Sequence, residues 1–366
     1  MPFEKGSVSF RVYYVPRSLP DDAVESFAAN AHPGFDSVLD SKVYGWVTGR
    51  HLLDRKIDEG SAIYGNHLRL QLLIAERKVP ASLYKAEVQQ EEEVRKAVRG
   101  LEFLSRRERK DIREDVKERM LPKMPPSIKG IPFVQLPDKN RFYAAALSDN
   151  QSDDFITHYN HAIKVPPKPY DPLASALLRK KVDVRDWTTT SFSADVPNDQ
   201  VDDEPGRDFL TWLWFFTEEK GGELEIEGVG RVGMLMMGPL VFTMEGGGAH
   251  ETKLSKGNPV QSAEAKTSLL AGKKLSKAKL TMAIGREIWE TGVSDDFVFR
   301  GMKLPDQEDK LDAVSLFMDR MRQIDTFVDV FYGCYDIFIE MRKDSKKWST
   351  TVAEMRAWAK KRKGMR

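Results

Sequence analysis

The sequence predicts an α+β protein of mixed sheets with a protruding helical hairpin arm. Three observations predict it. "SKAKLTMAI" (276–284) alternates apolar and polar residues with a period of two, as a half-buried strand does. Residues 80–121 read as two highly charged helices in succession, with too thin an apolar stripe for a pair buried in a core. A long apolar helix pattern at 312–342 is suited to close a fold.

The elements follow in order. "SVSFRVYYV" (7–15) reads as a strand and "DDAVESFAANA" (21–31) as a helix with acid at its start, where the macrodipole favours it. "HLRLQLLIAERKV" (67–79) is an apolar strand that turns basic at Arg77 and Lys78. Pro80 opens a helix that runs to Arg99, and Gly100 is a suitable C-terminal cap. Ser105 and Glu108 form a capping box for the next helix, whose stripe is Ile112, Val116 and Met120. Pro122, Pro125 and Pro126 end it. Two strands around the "PDKN" turn (132–147) and a short helix (153–163) follow.

"KVPPKPYDP" (164–172) marks a boundary, and the chain stays irregular and acidic to residue 204. "RDFLTWLWFFTEE" (207–219) is apolar almost all round, as a buried helix is. Glycine-rich strands, a helix at 262–272, the alternating strand and the strand "DDFVFRGMKLP" lead to the helix at 312–342. The organisation expected is an N-terminal α+β region (1–165) carrying the arm (80–121), a Pro-rich and acidic linker (166–204), a C-terminal α+β region (205–342) and a mobile basic tail (343–366).

The net charge is +1, yet charge is gathered in blocks. Residues 253–286 hold eight basic side chains against one acid, and 341–366 hold ten against two. Acid collects at 195–204 and 218–227. Such separation attracts a polyanion to one face even when the total is near zero. Lys277 and Lys279 lie about 7 Å apart along a strand, on the side opposite Ala278, Leu280 and Met282. No apolar run reaches 18 residues, so no membrane span is expected, and the N-terminus reads as a strand rather than a signal peptide. A single cysteine, Cys334, allows no internal disulfide and suits the cytoplasm; its apolar surroundings read as a buried structural thiol.

No catalytic constellation emerges. His158 and His161 have a helical metal-binding spacing but no partner to complete a site. Glu223, Glu225 and Glu227 alternate on a strand. "EGGGAH" (245–250) lacks the lysine–serine pair of a phosphate loop. Binding without chemistry, cofactor or metal is the expectation.

Several ordered segments are similar to one family: "YGWV" (44–47), "LLIAERKVPASLYKAEV" (72–88), "SRRERKDIREDVKERMLPK" (105–123), "NRFYAAALSDNQSDDFITHYNHAI" (140–163), "SAEAKTSLLAGKKLSKAKLTMA" (262–283) and "DDFVFRGMKLPD" (295–306). Together they resemble RdgC, the bacterial recombination-associated DNA-binding family. The resemblance is poor over residues 166–248, where "DFLTWLWFF" and the acidic loop are matched to no counterpart. The resemblance implies a homodimer closed into a ring around duplex DNA, nucleoid association, and antagonism of the RecA recombinase by occupying DNA. It places Lys253, Lys256, Lys273, Lys274, Lys277 and Lys279, with Lys123 and the basic turn Arg77–Lys78, on the DNA side. Where members carry phenylalanines after the arm's leucine-proline, this chain has "MPPSIKG" (124–130), so Met124 and Ile128 are the expected dimer contacts at the arm tip. Two rival expectations are a magnesium-dependent nuclease using Glu223, Glu225 or Asp203, and a protein that binds the recombinase directly.

Overall fold

The computed structural model describes residues 3–136, 139–188, 190–193, 205–244, 251–306 and 312–361. Its strands are β1 (Val8–Tyr14), β2 (Val43–Thr48), β3 (Ile63–Tyr64), β4 (His67–Glu76), β5 (Ser127–Gln135), β6 (Arg141–Ala144), β7 (Lys168–Pro169), β8 (Glu223–Ile226), β9 (Gly230–Thr243), β10 (Thr252–Leu254), β11 (Lys274–Ile284), β12 (Glu287–Ser294) and β13 (Val298–Lys303). Its helices are α1 (Ala23–Ala29), α2 (Glu59–Ala62), α3 (Ala81–Arg99), α4 (Arg106–Met120), α5 (Asp149–Ile163), α6 (Pro172–Ser175), α7 (Pro205–Glu219), α8 (Ala263–Leu270), α9 (Ala313–Lys343) and α10 (Ser345–Lys360).

All thirteen of these strands join one antiparallel sheet, in the order β10-β9-β11-β12-β13-β1-β6-β5-β4-β2, with β3, β7 and β8 attached at β4, β1 and β9. The two α+β regions expected from sequence therefore share a sheet. The seam is β1 against β13, where Phe10 pairs with Phe299 and Arg11 with Val298.

Strand alternation divides side chains between two faces. On one face Phe10, Val12, Phe299, Ala278, Leu280 and Met282 pack with Phe209, Trp212 and Leu213 of α7 and with Phe327, Phe331 and Tyr335 of α9. α9 has 31 residues, about 46 Å at helical rise, and ties the two halves together. Its Asp325 accepts from Lys139 (2.8 Å), Arg141 (3.2 Å) and Tyr143 on the N-terminal side, and its Gln323 carbonyl accepts from the Trp289 indole of β12 (3.1 Å).

The opposite face is treated differently in its two halves. Over β1, β6, β5, β4 and β2 it is covered by α1 and α5, and Tyr13, Leu70, Leu72, Phe133 and Phe142 bury against Phe27, Phe155 and Tyr159. The cover stops at the seam. Buried Arg11 binds Asp149, the first residue of α5 (3.3 Å), and Asp296 in the turn before β13 (2.7 Å), while Arg300 donates to the Leu147 carbonyl just ahead of α5 (2.7 Å). Beyond that point the β11 side chains on this face, Lys277, Lys279 and Thr281, are exposed or half-buried.

α3 and α4 form a hairpin around Val88, Leu104, Ile112, Val116 and Met120, a small cluster separate from both large cores. The three expected stripe residues are those α4 buries. Ser105 caps α4 with Glu108 returning the bond, and Gly100 ends α3 at φ +63°, where a side chain would be strained. Ion pairs Arg99–Glu108 (2.7 Å), Arg95–Asp115 (3.4 Å) and Arg119–Glu87 (3.3 Å) link the two charged outer surfaces.

The expected basic tail is instead mostly helix. α10 buries Met355, Trp358 and Ala359, and the Trp358 indole donates to Glu218 of α7 (3.0 Å). Three apolar residues within five positions give the segment one face to dock, although its composition is basic. Residues 362–366 lie outside the described residues, as do the acidic stretch 195–204 with Asp203, the glycines of 245–250 and the first two residues of the "PDKN" turn.

Candidate nucleic-acid interface

β11 builds the candidate site. Its core side is Leu275, Ala278, Leu280 and Met282, all fully or nearly fully buried. The step from Leu275 to Ala278 is three residues rather than two. A bulge lies there: Leu275 pairs with Phe242 and Lys277 with the adjacent Val241, leaving one residue extra on β11. Ser276 is turned in, its hydroxyl on the Val241 carbonyl (3.1 Å), and the regular alternation starts only after it. Lys277 and Lys279 consequently lie on the uncovered face, whereas Lys273 and Lys274 precede the bulge and do not continue the row.

Cross-strand pairing aligns other cations with them. Lys253, Val241, Lys277 and Ser294 form one row across β10, β9, β11 and β12. Met237, Lys279, Gly292 and Arg300 form the next, across β9, β11, β12 and β13. Leu235, Thr281, Glu290 and Lys303 form a third. Lys253, Lys277, Lys279 and Arg300 together line a depression of about 340 Å³ that also includes Pro239, Gly292 and Gly301. Glycines at 292 and 301 leave the backbone open to close approach. Among the described residues Lys253, Lys277 and Arg300 pair with no carboxylate. Glu290 takes Lys279 (2.7 Å) and Lys303 (3.3 Å), and these two ammonium groups hold its carboxyl below the usual carboxylate range.

Sequence reasoning placed Lys253, Lys277 and Lys279 in this site but missed Arg300 and Lys303. Their segment was recognised as a strand; which strand it would pair with was not legible. Lys256 is exposed in the turn after β10. Lys273 reaches from before β11 to the Thr252 hydroxyl of β10, and Lys274 opens β11, half-buried. Lys266, within the same basic block, is buried against Glu218 (3.3 Å) and over the Trp358 ring.

Two groups are placed elsewhere. Arg77 sits five strands from β12, at the β4 end of the sheet, and its guanidinium donates to the carbonyls of Val38 (2.6 Å), Pro122 (3.3 Å) and Met124. Those bonds brace the root of the hairpin, away from the cations of β11. Lys78 is bound to Glu76 (2.6 Å), and Lys123 is exposed beside the same root. The arm-tip placement of Met124 and Ile128 is corrected. They are half-buried where α4 returns to the sheet, Ile128 pairing with Ala75, and not at the hairpin's tip. The tip is the 100–105 turn, where Val98 is 81% and Phe103 73% exposed and Leu101 lies alongside.

The chain matches no protein-family model, and no curated protein matches it.

Both histidines and Glu223 have partners in the fold. His158 stacks on Tyr44 with ring centres 4.3 Å apart, and His161 shares a 2.7 Å hydrogen bond with the Asn30 side chain. Glu223 is paired with Arg231. No group of three or more His, Cys, Asp or Glu side chains that could hold a metal occurs among the described residues. Cys334 is buried 3.7 Å from the Met234 sulfur, and desolvation pushes its thiol far up. Among the described residues no helix is long and apolar enough to cross a membrane.

Proposed function

We propose that the uncovered half of the sheet binds duplex DNA through its phosphates, without reading base sequence. The observation that carries this reading is the convergence of Lys253, Lys277, Lys279 and Arg300 on one open face. Lysines aimed at phosphates supply affinity by releasing counterions and carry no sequence information. An open sheet with a shallow floor suits an extended backbone better than an enclosed small molecule.

The same reading takes the protein as a relative of the RdgC family, acting as a dimer closed into a ring. The apolar end of the α3–α4 hairpin supports an arm that meets a second copy, with Val98, Leu101 and Phe103 in the place first given to Met124 and Ile128. By occupying duplex DNA, such a ring limits access of the RecA recombinase.

The test is binding to unrelated duplexes across a salt series, with light scattering at micromolar concentration. A dimer, equal affinity for unrelated sequences and a log–log salt slope steeper than about −4 are expected, since each phosphate contact contributes about −0.9. A shallow slope or strong sequence preference sinks phosphate binding; a monomer sinks the ring; cleavage in magnesium favours a nuclease.

A further inference from the structure

We infer that Glu290 is a built-in competitor of nucleic-acid phosphates, holding Lys279 and Lys303 until a phosphate takes them and so limiting how tightly the face binds. This rests on the reading of the face as a DNA-binding surface.

The position of Glu290 follows from register. It stands opposite Thr281 on β11 and opposite Lys303 on β13, so its side chain lies on the same face as the cations. A single carboxylate oxygen, Oε2, receives both ammonium groups. Lys303 belongs to the strand at the seam and Lys279 to the strand that forms the depression, so the carboxylate draws them together across β12. Lys279 is thereby turned along the sheet, while Lys277, one turn of the pleat away, has no such partner among the described residues.

Exposed ion pairs of this kind are weak, and lysine's four-carbon stem lets the ammonium exchange partners at little cost. A phosphate arriving over the depression offers the same interaction with more charge nearby. Binding at rest therefore uses Lys253, Lys277 and the Arg300 donors not taken by the Leu147 carbonyl, and full engagement requires displacing Glu290 from two lysines. Each binding event recruits fewer net phosphate contacts than the number of cations on the face, and the bound state releases more readily.

The experiment uses the full chain and a labelled duplex of about 25 base pairs, read by fluorescence anisotropy over a salt series. Glu290→Gln keeps the shape and removes the charge. It should raise affinity about five- to tenfold and steepen the salt slope by about 1 to 2, because two lysines become available. In a background of Lys279→Met and Lys303→Met the gain should vanish, since neighbouring groups in one network do not add. A gain that persists in that background means that Glu290 acts only as a distant negative charge and overturns the inference. Unchanged or weaker binding by Glu290→Gln overturns it too, the latter meaning that the carboxylate orients the lysines for DNA. Lys277→Glu separates these failures from failure of the reading itself. If it weakens binding while Glu290→Gln changes nothing, the face binds DNA and Glu290 is a bystander; if neither changes binding, the face is not the DNA site.

Discussion

The two halves of one sheet face differ more than the two faces do. Over β4, β5 and β6, the face ends in Phe133, Phe142 and Leu70 under α1 and α5, with Phe27, Trp46, Phe155 and Tyr159 closing an aromatic cluster. Over β9, β11 and β12, the continuation of that face carries Lys277, Lys279 and Thr281, with no helix above among the described residues. Both halves are antiparallel ladders, regular from β2 to β6 and interrupted by bulges between β9 and β11 and between β12 and β13. The side chains decide whether a layer of helices is recruited or repelled. Lysines on a strand make burial costly, and aromatic residues make exposure costly. What the comparison teaches is that one large sheet can have a helix-covered core in one half and an exposed, cation-bearing face in the other.

The largest expected effect tests the covered half. Phe133→Ala should cost about 3–5 kcal/mol of stability, because a fully buried ring is removed from five aromatic neighbours. Leu280→Ala, buried beneath the open half, should cost about 2–5 kcal/mol by the same mechanism. Denaturant unfolding measures both. A loss under about 1 kcal/mol at either site would mean that the half in question is not packed as described.

A charge change on the open half should do the reverse. Lys277→Glu with Lys279→Glu should weaken DNA binding about 100-fold or more at fixed salt, on the basis of two lost charge-assisted contacts. Stability should stay within about 0.5 kcal/mol of the parent, as surface substitutions usually do. Parental affinity in this folded double variant would make the open half an ordinary solvated surface and erase the functional side of the comparison.

The smallest effect is a pH dependence confined to the covered half. Burial is the main cause that holds His32 and His158 below the ordinary imidazole range, with Arg55 adding to it at His32. The neutral forms are therefore favoured in the fold. Below about pH 6.5 the unfolded chain takes up protons that the folded one resists, so this stability is complete above that pH and is lost as pH falls toward the folded values. Replacing His158 with Phe, which keeps a ring on Tyr44, should make the loss between pH 7 and pH 5 shallower. An unchanged profile would assign the acid sensitivity elsewhere.

Much of the local structure was legible. The capping box of Ser105 and Glu108, the glycine at 100 and the stripe Ile112, Val116 and Met120 each rest on neighbours within a few positions, and each stands where the spacing put it. The split of β11 into a core side and a lysine side was legible for the same reason. Arg300 and Lys303 were not, because they join the lysines only through the antiparallel pairing of β12 with β13. The carbonyl partners of Arg77 were not legible, because a guanidinium bound to three carbonyls and one reaching for phosphate have the same sequence. α10 misled because its charge hid three residues with a common helical face.

The sequence by itself determined period, caps and the sign of charge on each strand, since these depend on backbone geometry and side-chain chemistry over a few residues. Only the tertiary structure decided that two regions share one sheet, that α5 stops at the seam held by Arg11, and that Lys253, Lys277, Lys279 and Arg300 meet on the part left open. Those outcomes depend on pairings between residues up to nearly three hundred positions apart, such as Arg11 with Val298. Alternation within a strand is the same whichever neighbour it pairs with, so it cannot specify them.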